Sequence, residues 1–241
     1  MEIKRAALVV ADISGYTQFV KNHDVALIHA EQIISDLLET VIDTAEFPLT
    51  ISKLEGDAVF FYALAGDDDK AVAKDVLKQV VMFFDAFNKK VQELDATRDC
   101  PCDACTHIAN LRLKAILHYG QAAFKQIRQF EELAGEDVIL VHRLLKNSVP
   151  SKEYILLSER FHELAGSLPD EEPEARTEQV EGLGAQKVRI YYRGEPQPAA
   201  KDSPPGWLTR TLWNKRLGIH TTLRKLGLKR GRDFTNLPQS T

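Results

Sequence analysis

Apolar residues form two kinds of pattern along this chain. Continuous apolar runs predict strands, and apolar residues at helical spacing predict helices. Residues 6–11 are apolar throughout, over the length of a buried strand. Apolar residues then recur at helical spacing over residues 33–42, and again over 67–91, where three leading aspartates suit a helix N-terminus. Between these helices, residues 49–53 and 58–64 are typical of the two strands of a hairpin.

The second half of the chain continues the same alternation. Its predicted elements are a strand pair over 111–118 and 122–129 around Gly120, a short helix over 135–147, a strand over 154–157, a further helix after that strand, and two last strands over 177–180 and 187–192. This order predicts an α+β fold in which helices cover one face of a mostly antiparallel sheet.

The composition sets the limits of the domain. The 241 residues are 44% apolar and 27% charged, as in ordinary soluble proteins. Residues 196–206 (PQPAAKDSPPG) are a linker by composition, so we expect a globular domain over 1–195 and a separate tail over 207–241. No apolar run reaches the roughly 18–20 residues of a membrane span, and the apolar run after the first five residues is too short for a signal peptide. We therefore expect a cytoplasmic protein.

The net charge of −4 conceals an acidic body and a basic tail. The acidic body argues against general nucleic-acid binding. The tail mixes bases with large apolar residues, including Trp207 and Trp213. Such a segment could lie peripherally on an anionic membrane, or it could dock on a partner or on the acidic surface of its own domain. We favour docking.

Two short segments each place an aspartate beside a glycine at the edge of an apolar strand. They are residues 11–17 (ADISGYT), with Asp12, and residues 53–61 (KLEGDAVFF), with Asp57. Carboxylate oxygens are hard ligands that suit Mg²⁺ or Mn²⁺, and a turn that leads into a helix N-terminus suits a phosphate. Taken singly, either aspartate could be an ordinary cap or turn residue.

These segments resemble motifs of the class III adenylyl/guanylyl cyclase catalytic domain. Residues 135–144 are similar to a third motif of that family, and residues 180–184 (VEGLG) to its glycine-rich stretch. The resemblance covers roughly residues 5–195 and implies the ferredoxin-like cyclase fold. It also implies catalysis with two cations at sites between the subunits of a homodimer, in which ATP is converted to cyclic AMP and pyrophosphate.

Roles for single residues follow from the same resemblance. It implies Asp12, Ile13 and Asp57 as metal ligands for Mg²⁺ or Mn²⁺. The backbone turn of Ile13, Ser14 and Gly15 would hold phosphate oxygens.

The resemblance also implies a base-reading pair and a catalytic residue. Lys53 and Glu132 would read the nucleobase, and a lysine donor with a carboxylate acceptor favours ATP over GTP. Arg143 would steady charge in the transition state. Each of these residues has a plainer alternative, since Lys53 could be a solvated strand lysine and Arg143 a surface ion-pair partner. His118 and His142 are expected to be structural.

Two positions depart from the cyclase pattern. Ile139 stands where the family has an asparagine, and Leu183 stands where it has a phosphate-binding lysine. Losing one transition-state donor costs about 10²–10³ in rate. Two hypotheses therefore stay open: a slow adenylyl cyclase, and an inactive cyclase-homology module that binds nucleotide and metal and signals through association.

All three cysteines fall in a short insertion over residues 99–108. Cys100, Cys102 and Cys105 with His107 place four soft or borderline ligands within eight residues, which suits Zn²⁺. The alternative is a reduced thiol cluster that fills the junction between a helix and a strand.

Overall fold

The computed structural model describes residues 1–16, 24–97 and 102–194. The predicted linker and tail, and Cys100, lie outside these residues. None of the described helices is both long and apolar enough to cross a membrane.

The described residues form one eight-stranded sheet and five α-helices. The strands are β1 (Glu2–Ser14), β2 (Thr50–Glu55), β3 (Ala58–Leu64), β4 (Arg112–Ile127), β5 (Phe130–Ala134), β6 (Tyr154–Ser158), β7 (Glu174–Val180) and β8 (Gly184–Tyr192). The helices are α1 (Asp24–Thr44), α2 (Asp69–Ala96), α3 (Asp103–Thr106), α4 (Glu136–Arg143) and α5 (Glu159–Ala165), and a 3₁₀ turn spans Ile108–Asn110.

The sheet has the strand order β2-β3-β1-β4-β6-β8-β7. Strand β5 pairs with the C-terminal end of β4. All neighbouring strands are antiparallel except β4 and β6, which are parallel. The mostly antiparallel sheet with packed helices confirms the predicted α+β class.

The apolar run at the start of the chain is explained by the burial of β1 on both of its faces. Ala7, Val9 and Ala11 contribute to a core beneath α1, α2 and α5. Leu8 and Val10 contribute to a second core beneath α4, on the opposite face. A strand buried on both faces has no polar alternation, which is why residues 6–11 are continuously apolar. The long helices share one face as predicted, and the short helix α4 lies on the other.

One strand prediction is wrong: the chain does not turn where we expected it to. We expected a hairpin turn at Gly120, but β4 runs unbroken from Arg112 to Ile127 and the chain turns later, at Arg128, where φ is 55°. Strand β5, which the sequence analysis missed, forms the second arm. Gly120 serves close packing instead, since a Cβ there would overlap the carboxyl group of Asp137 on α4.

Candidate active site

Asp12 and Asp57 meet where the end of β1 touches the β2–β3 turn. Asp12 lies opposite Ala58, the residue after Asp57, in the β1–β3 register. The Ile13 backbone N–H donates to the Asp57 carbonyl oxygen at 3.0 Å. Gly56 makes the tight turn with a positive φ of 68°. Two segments separated by about forty residues are thereby fastened together, and each brings one carboxylate.

The two carboxylates influence one another electrostatically. Burial is the main cause that raises the pKa of Asp57 above its usual range, and the nearby charge of Asp12 is the second. The ammonium group of Lys114 opposes this effect. Asp57 is thus held in a place that disfavours its negative charge.

Lys114 is a residue that the sequence analysis missed. It lies on β4 directly opposite Asp12, and its Nζ is 2.7 Å from Asp12 Oδ2. The two side chains are only 20% and 14% exposed. Strand alternation alone could have placed Lys114 on the side of the sheet that faces α4, but only the register between β1 and β4 sets it against Asp12.

The predicted phosphate turn follows directly from β1. Ile13 is buried, so its side chain belongs to the core and only its backbone could contact a ligand. Gly15 has a φ of 99°, which lets the chain turn out of the strand. Beyond it, the Tyr16 hydroxyl donates to Glu31 Oε1 on α1 at 2.7 Å, and this bond is the main cause that raises the pKa of Tyr16 to about 12.

The residues at this edge would suit a divalent cation. The donors on offer are carboxylate oxygens, the type that Mg²⁺ and Mn²⁺ prefer. The charge of Glu31 adds to the effects that raise the pKa of Asp57, so negative charge converges here from β1, the β2–β3 turn and α1. A cation would relieve that repulsion, and Lys114 supplies part of the compensation within the chain itself.

The structure brings the predicted base-reading residues together. Lys53 Nζ on β2 lies 3.7 Å from Glu132 Oε2 on β5, and the two side chains are 40% and 39% exposed. Glu55 lies nearer still, with its Oε1 3.3 Å from the same ammonium group. Lys53 therefore has two carboxylate neighbours, only one of which was predicted.

His142 connects this region to α4. Its Nε2 lies 3.0 Å from Glu55 Oε2, and its Nδ1 donates to the Val138 carbonyl oxygen at 2.7 Å. The imidazole also packs edge-on against Phe60, with ring centroids 4.7 Å apart. Both ring nitrogens face acceptors, so the side chain tethers α4 to β2.

Arg143, the predicted catalytic residue, is held by the glycine-rich turn between β7 and β8. Its Nη1 donates to the Glu181 carbonyl oxygen. Gly182 leaves the space for this contact, because a Cβ there would lie 2.8 Å from the same nitrogen. Leu183, in the same turn, packs against the core beneath α4, whereas Ile139 is 48% exposed. Where the cyclase pattern has two polar groups, the chain presents one packed and one exposed apolar side chain.

The structure places a histidine from another helix beside the described part of the cysteine insertion. Cys102 and Cys105 lie beside His29 of α1, and the possible ligand atoms of these three residues are all within 4.8 Å of one another. His107 is exposed, its Nδ1 lies 3.2 Å from Thr106 Oγ1, and the structure does not bring it into this group. No local signal could have identified His29, which is 73 residues from Cys102.

Comparison with known proteins places this chain among relatives. The model of one protein family, described as a protein of unknown function (DUF2652), matches residues 34–154. The chain belongs to the DUF2652 family. An uncharacterised protein of Mycobacterium tuberculosis, Rv2561/Rv2562, is 33% identical to this DUF2652 chain over 172 residues, which cover 71% of the chain and 76% of the relative.

Solved structures show what fold this DUF2652 domain has. The adenylyl cyclase CyaB from P. aeruginosa is similar with a TM-score of 0.61 and 17% identity, over 82% of this chain and 98% of that one. The guanylyl cyclase Cya2 has a TM-score of 0.61 and 16% identity, over 82% and 97% of the two chains. These values confirm the predicted class III nucleotidyl cyclase fold.

Proposed function

We propose that the DUF2652 domain binds a purine nucleoside triphosphate together with Mg²⁺ or Mn²⁺, as a homodimer, and slowly converts ATP to cyclic AMP and pyrophosphate. The observation that carries the proposal is the pair of converging aspartates. Burial and the charge of Asp12 raise the pKa of Asp57, and carboxylates with such shifted pKa values cluster at functional sites. Together with the cyclase fold, this pair of aspartates supports a site that binds cations.

Asp12 and Asp57 would hold the cations through their carboxylates. Bound there, Mg²⁺ or Mn²⁺ would neutralise the triphosphate and favour attack of the ribose 3′-oxygen on the α-phosphorus. The backbone of Ile13, Ser14 and Gly15 would supply N–H donors to phosphate oxygens. Lys114 would gain a second role, since an ammonium group 2.7 Å from Asp12 is within reach of an anion that enters beside that carboxylate.

Lys53 and Glu132 would contact the nucleobase. Adenine offers a ring-nitrogen acceptor beside an amino donor, which a lysine and a carboxylate can pair with. The 3.7 Å between these side chains supports a joint role. Because Glu55 lies closer to Lys53 than Glu132 does, the lysine must weaken its contact with Glu55 when it donates to the base.

A second candidate function is a nucleotide-binding module without turnover. The exposed Ile139 and the packed Leu183 favour it, because neither can donate to a phosphate oxygen. Arg143 already donates to the Glu181 carbonyl oxygen and would have to leave it to act on the reacting group. One missing donor costs about 10²–10³ in rate, whereas ground-state binding depends less on these groups.

An assay of cyclic nucleotide formation separates the two functions. Purified full-length protein is incubated with ATP or GTP and with Mg²⁺ or Mn²⁺, and the product is quantified by mass spectrometry. We expect slow formation of cyclic AMP that is lost in Asp12→Asn and Asp57→Asn. Asp75→Asn, an exposed carboxylate on α2, is the matched control and should keep the wild-type rate.

Thermal unfolding completes the test. A ligand at 100 times its Kd stabilises the folded state by about 2.7 kcal/mol, so ATP with a divalent cation should raise Tm in wild type and in Asp75→Asn. A rise in Tm without product would establish the binding module. If no purine nucleotide gives either product or a rise in Tm, both functions are refuted.

A further inference from the structure

We propose that His29, Cys102 and Cys105 form a zinc site that fastens α1 to α3. His29 Nδ1 lies 3.4 Å from Cys102 Sγ and 3.8 Å from Cys105 Sγ. The site is separate from the carboxylate pair of the candidate active site, and it shares no ligand with it.

The distances agree with a common metal centre. Zinc–sulfur bonds of about 2.3 Å and zinc–nitrogen bonds of about 2.0–2.1 Å at a tetrahedral angle place sulfur and nitrogen roughly 3.6 Å apart. The two observed sulfur–nitrogen distances, 3.4 and 3.8 Å, lie on either side of that value. The two sulfurs lie within 4.8 Å of one another, and two zinc–sulfur bonds at the tetrahedral angle would place them roughly 3.8 Å apart. An ion could therefore contact all three atoms after a movement of about 1 Å or less.

One hydrogen bond at Cys102 favours the thiolate form that zinc requires. Cys102 precedes α3, and its Sγ accepts a hydrogen bond from the Cys105 backbone N–H at 3.5 Å. Such a bond is stronger to a thiolate than to a neutral thiol. His29 and Cys105 are only 4% and 5% exposed, so the site is shielded from bulk water.

The chemistry of the donors favours zinc over Mg²⁺ and Ca²⁺. Two thiolates and an imidazole are soft or borderline ligands, which disfavour Mg²⁺ and Ca²⁺ and suit tetrahedral Zn²⁺. The fourth position would be taken by water. The main competing explanation is a redox pair, because Cys102 and Cys105 have the two-residue spacing of dithiol motifs. No disulfide bond joins Cys102 to Cys105 in this structure, and a redox pair needs no imidazole within 4 Å of both sulfurs.

The site would stabilise one side of the nucleotide region. His29 lies two residues before Glu31, which accepts the hydrogen bond from Tyr16 beyond the phosphate turn. An ion that joins His29 to α3 would fix the first turns of α1, and with them the position of Glu31. Removing the ion should therefore lower Tm even when no nucleotide is present.

The first measurement is the metal content of wild-type full-length protein. After overnight dialysis against a weak chelator and a return to trace zinc, elemental analysis should find about one zinc per chain. Cobalt substituted for zinc should give the visible absorption of a tetrahedral centre and a near-ultraviolet thiolate-to-metal band. A protein that retains no zinc and gives no thiolate band overturns the proposal, whatever the variants do.

Matched histidine variants identify the ligand. His29→Asn should lose at least about nine-tenths of the bound zinc, and so should Cys102→Ser and Cys105→Ser, whereas His107→Asn should keep it. A strong chelator should lower Tm of wild type by about 5 °C or more and leave His29→Asn unaffected. Zinc loss in His107→Asn with retention in His29→Asn would refute this ligand set. Zinc-free protein that forms a Cys102–Cys105 disulfide reversibly would establish the redox pair instead.

Discussion

Replacing Lys114 by methionine removes the ammonium group beside Asp12 and keeps a side chain of similar length. At 2.7 Å and an effective dielectric constant of 20, the gross attraction between the two charges is about 6 kcal/mol. Most of this is offset by desolvation, and breaking a fully buried pair typically costs about 3–5 kcal/mol. Since the side chains keep 20% and 14% exposure, we expect the free energy of unfolding to fall by about 2–3 kcal/mol.

The loss should depend on Asp12, because the cost comes from leaving its charge without a partner beside Asp57. Asp12→Asn removes that charge, so the Lys114→Met/Asp12→Asn double variant should be more stable than Lys114→Met alone. The charge of Asp12 also contributes to the raised pKa of Asp57, and the double variant relieves that effect as well. The coupling free energy from the double-mutant cycle isolates the pair.

Urea unfolding at pH 7 without divalent ions measures these differences. Lys78→Met is the matched control: Lys78 pairs with Asp75 at 4.0 Å on the exposed side of α2, and its loss should cost less than about 0.5 kcal/mol. Adding Mn²⁺ should restore part of the stability of Lys114→Met, because a cation can neutralise the unpaired carboxylates. The reasoning is refuted if Lys114→Met is as mild as Lys78→Met, or if the double variant is simply additive.

Two further predictions concern Asp137 and the glycine beside it. Gly120→Ala should destabilise the domain by about 1–3 kcal/mol in urea unfolding, because its Cβ would overlap the Asp137 carboxyl group. Gly66→Ala is the control and should be mild, because its Cβ would meet only ordinary contact with Val72. Equal effects of the two substitutions would contradict the packing argument. A hydrogen bond with His118 is the main cause that lowers the pKa of Asp137. The Asp137 carboxylate therefore stabilises the fold at pH values above the ordinary aspartate pKa of about 3.9. That contribution is lost as the pH falls through the lower pKa of Asp137 in the folded protein. The free energy of unfolding should therefore fall less steeply from pH 7 to pH 3 in Asp137→Asn than in wild type. Parallel curves for the two proteins would contradict this assignment.

Periodicity was enough to predict most elements of the fold. The helical spacing of apolar residues found α1 and α2, and the apolar run at 6–11 found the centre of β1. The exception at Gly120 is instructive, because a glycine between two apolar segments gives the same local signal whether it makes a turn or a close contact. What distinguishes the two is Asp137 on α4, which a local pattern cannot show.

The same difference between local sequence and folded arrangement applies to the candidate site. Asp12 and Asp57 were predictable because each lies in a short motif of its own. Lys114 and His29 were not, since each reaches its partner only through the folded arrangement, Lys114 by strand register and His29 by the packing of α1. His107 is the converse case: it is close to the cysteines along the chain, yet among the described residues the group that could hold a metal contains His29 instead.

The two parts of the candidate site differ in what they cost the fold. Asp12 and Asp57 bring charge into a partly buried place, and burial and repulsion raise the pKa of Asp57. Groups that oppose stability in this way are characteristic of sites that act on a ligand. Leu183, by contrast, adds apolar packing to the core beneath α4, and a lysine there would add no such packing. The carboxylate pair that we propose as the cation site thus opposes stability, whereas Leu183, at the position of the cyclase pattern's phosphate-binding lysine, adds to it. This contrast is why we expect the domain to bind nucleotide more effectively than it converts it.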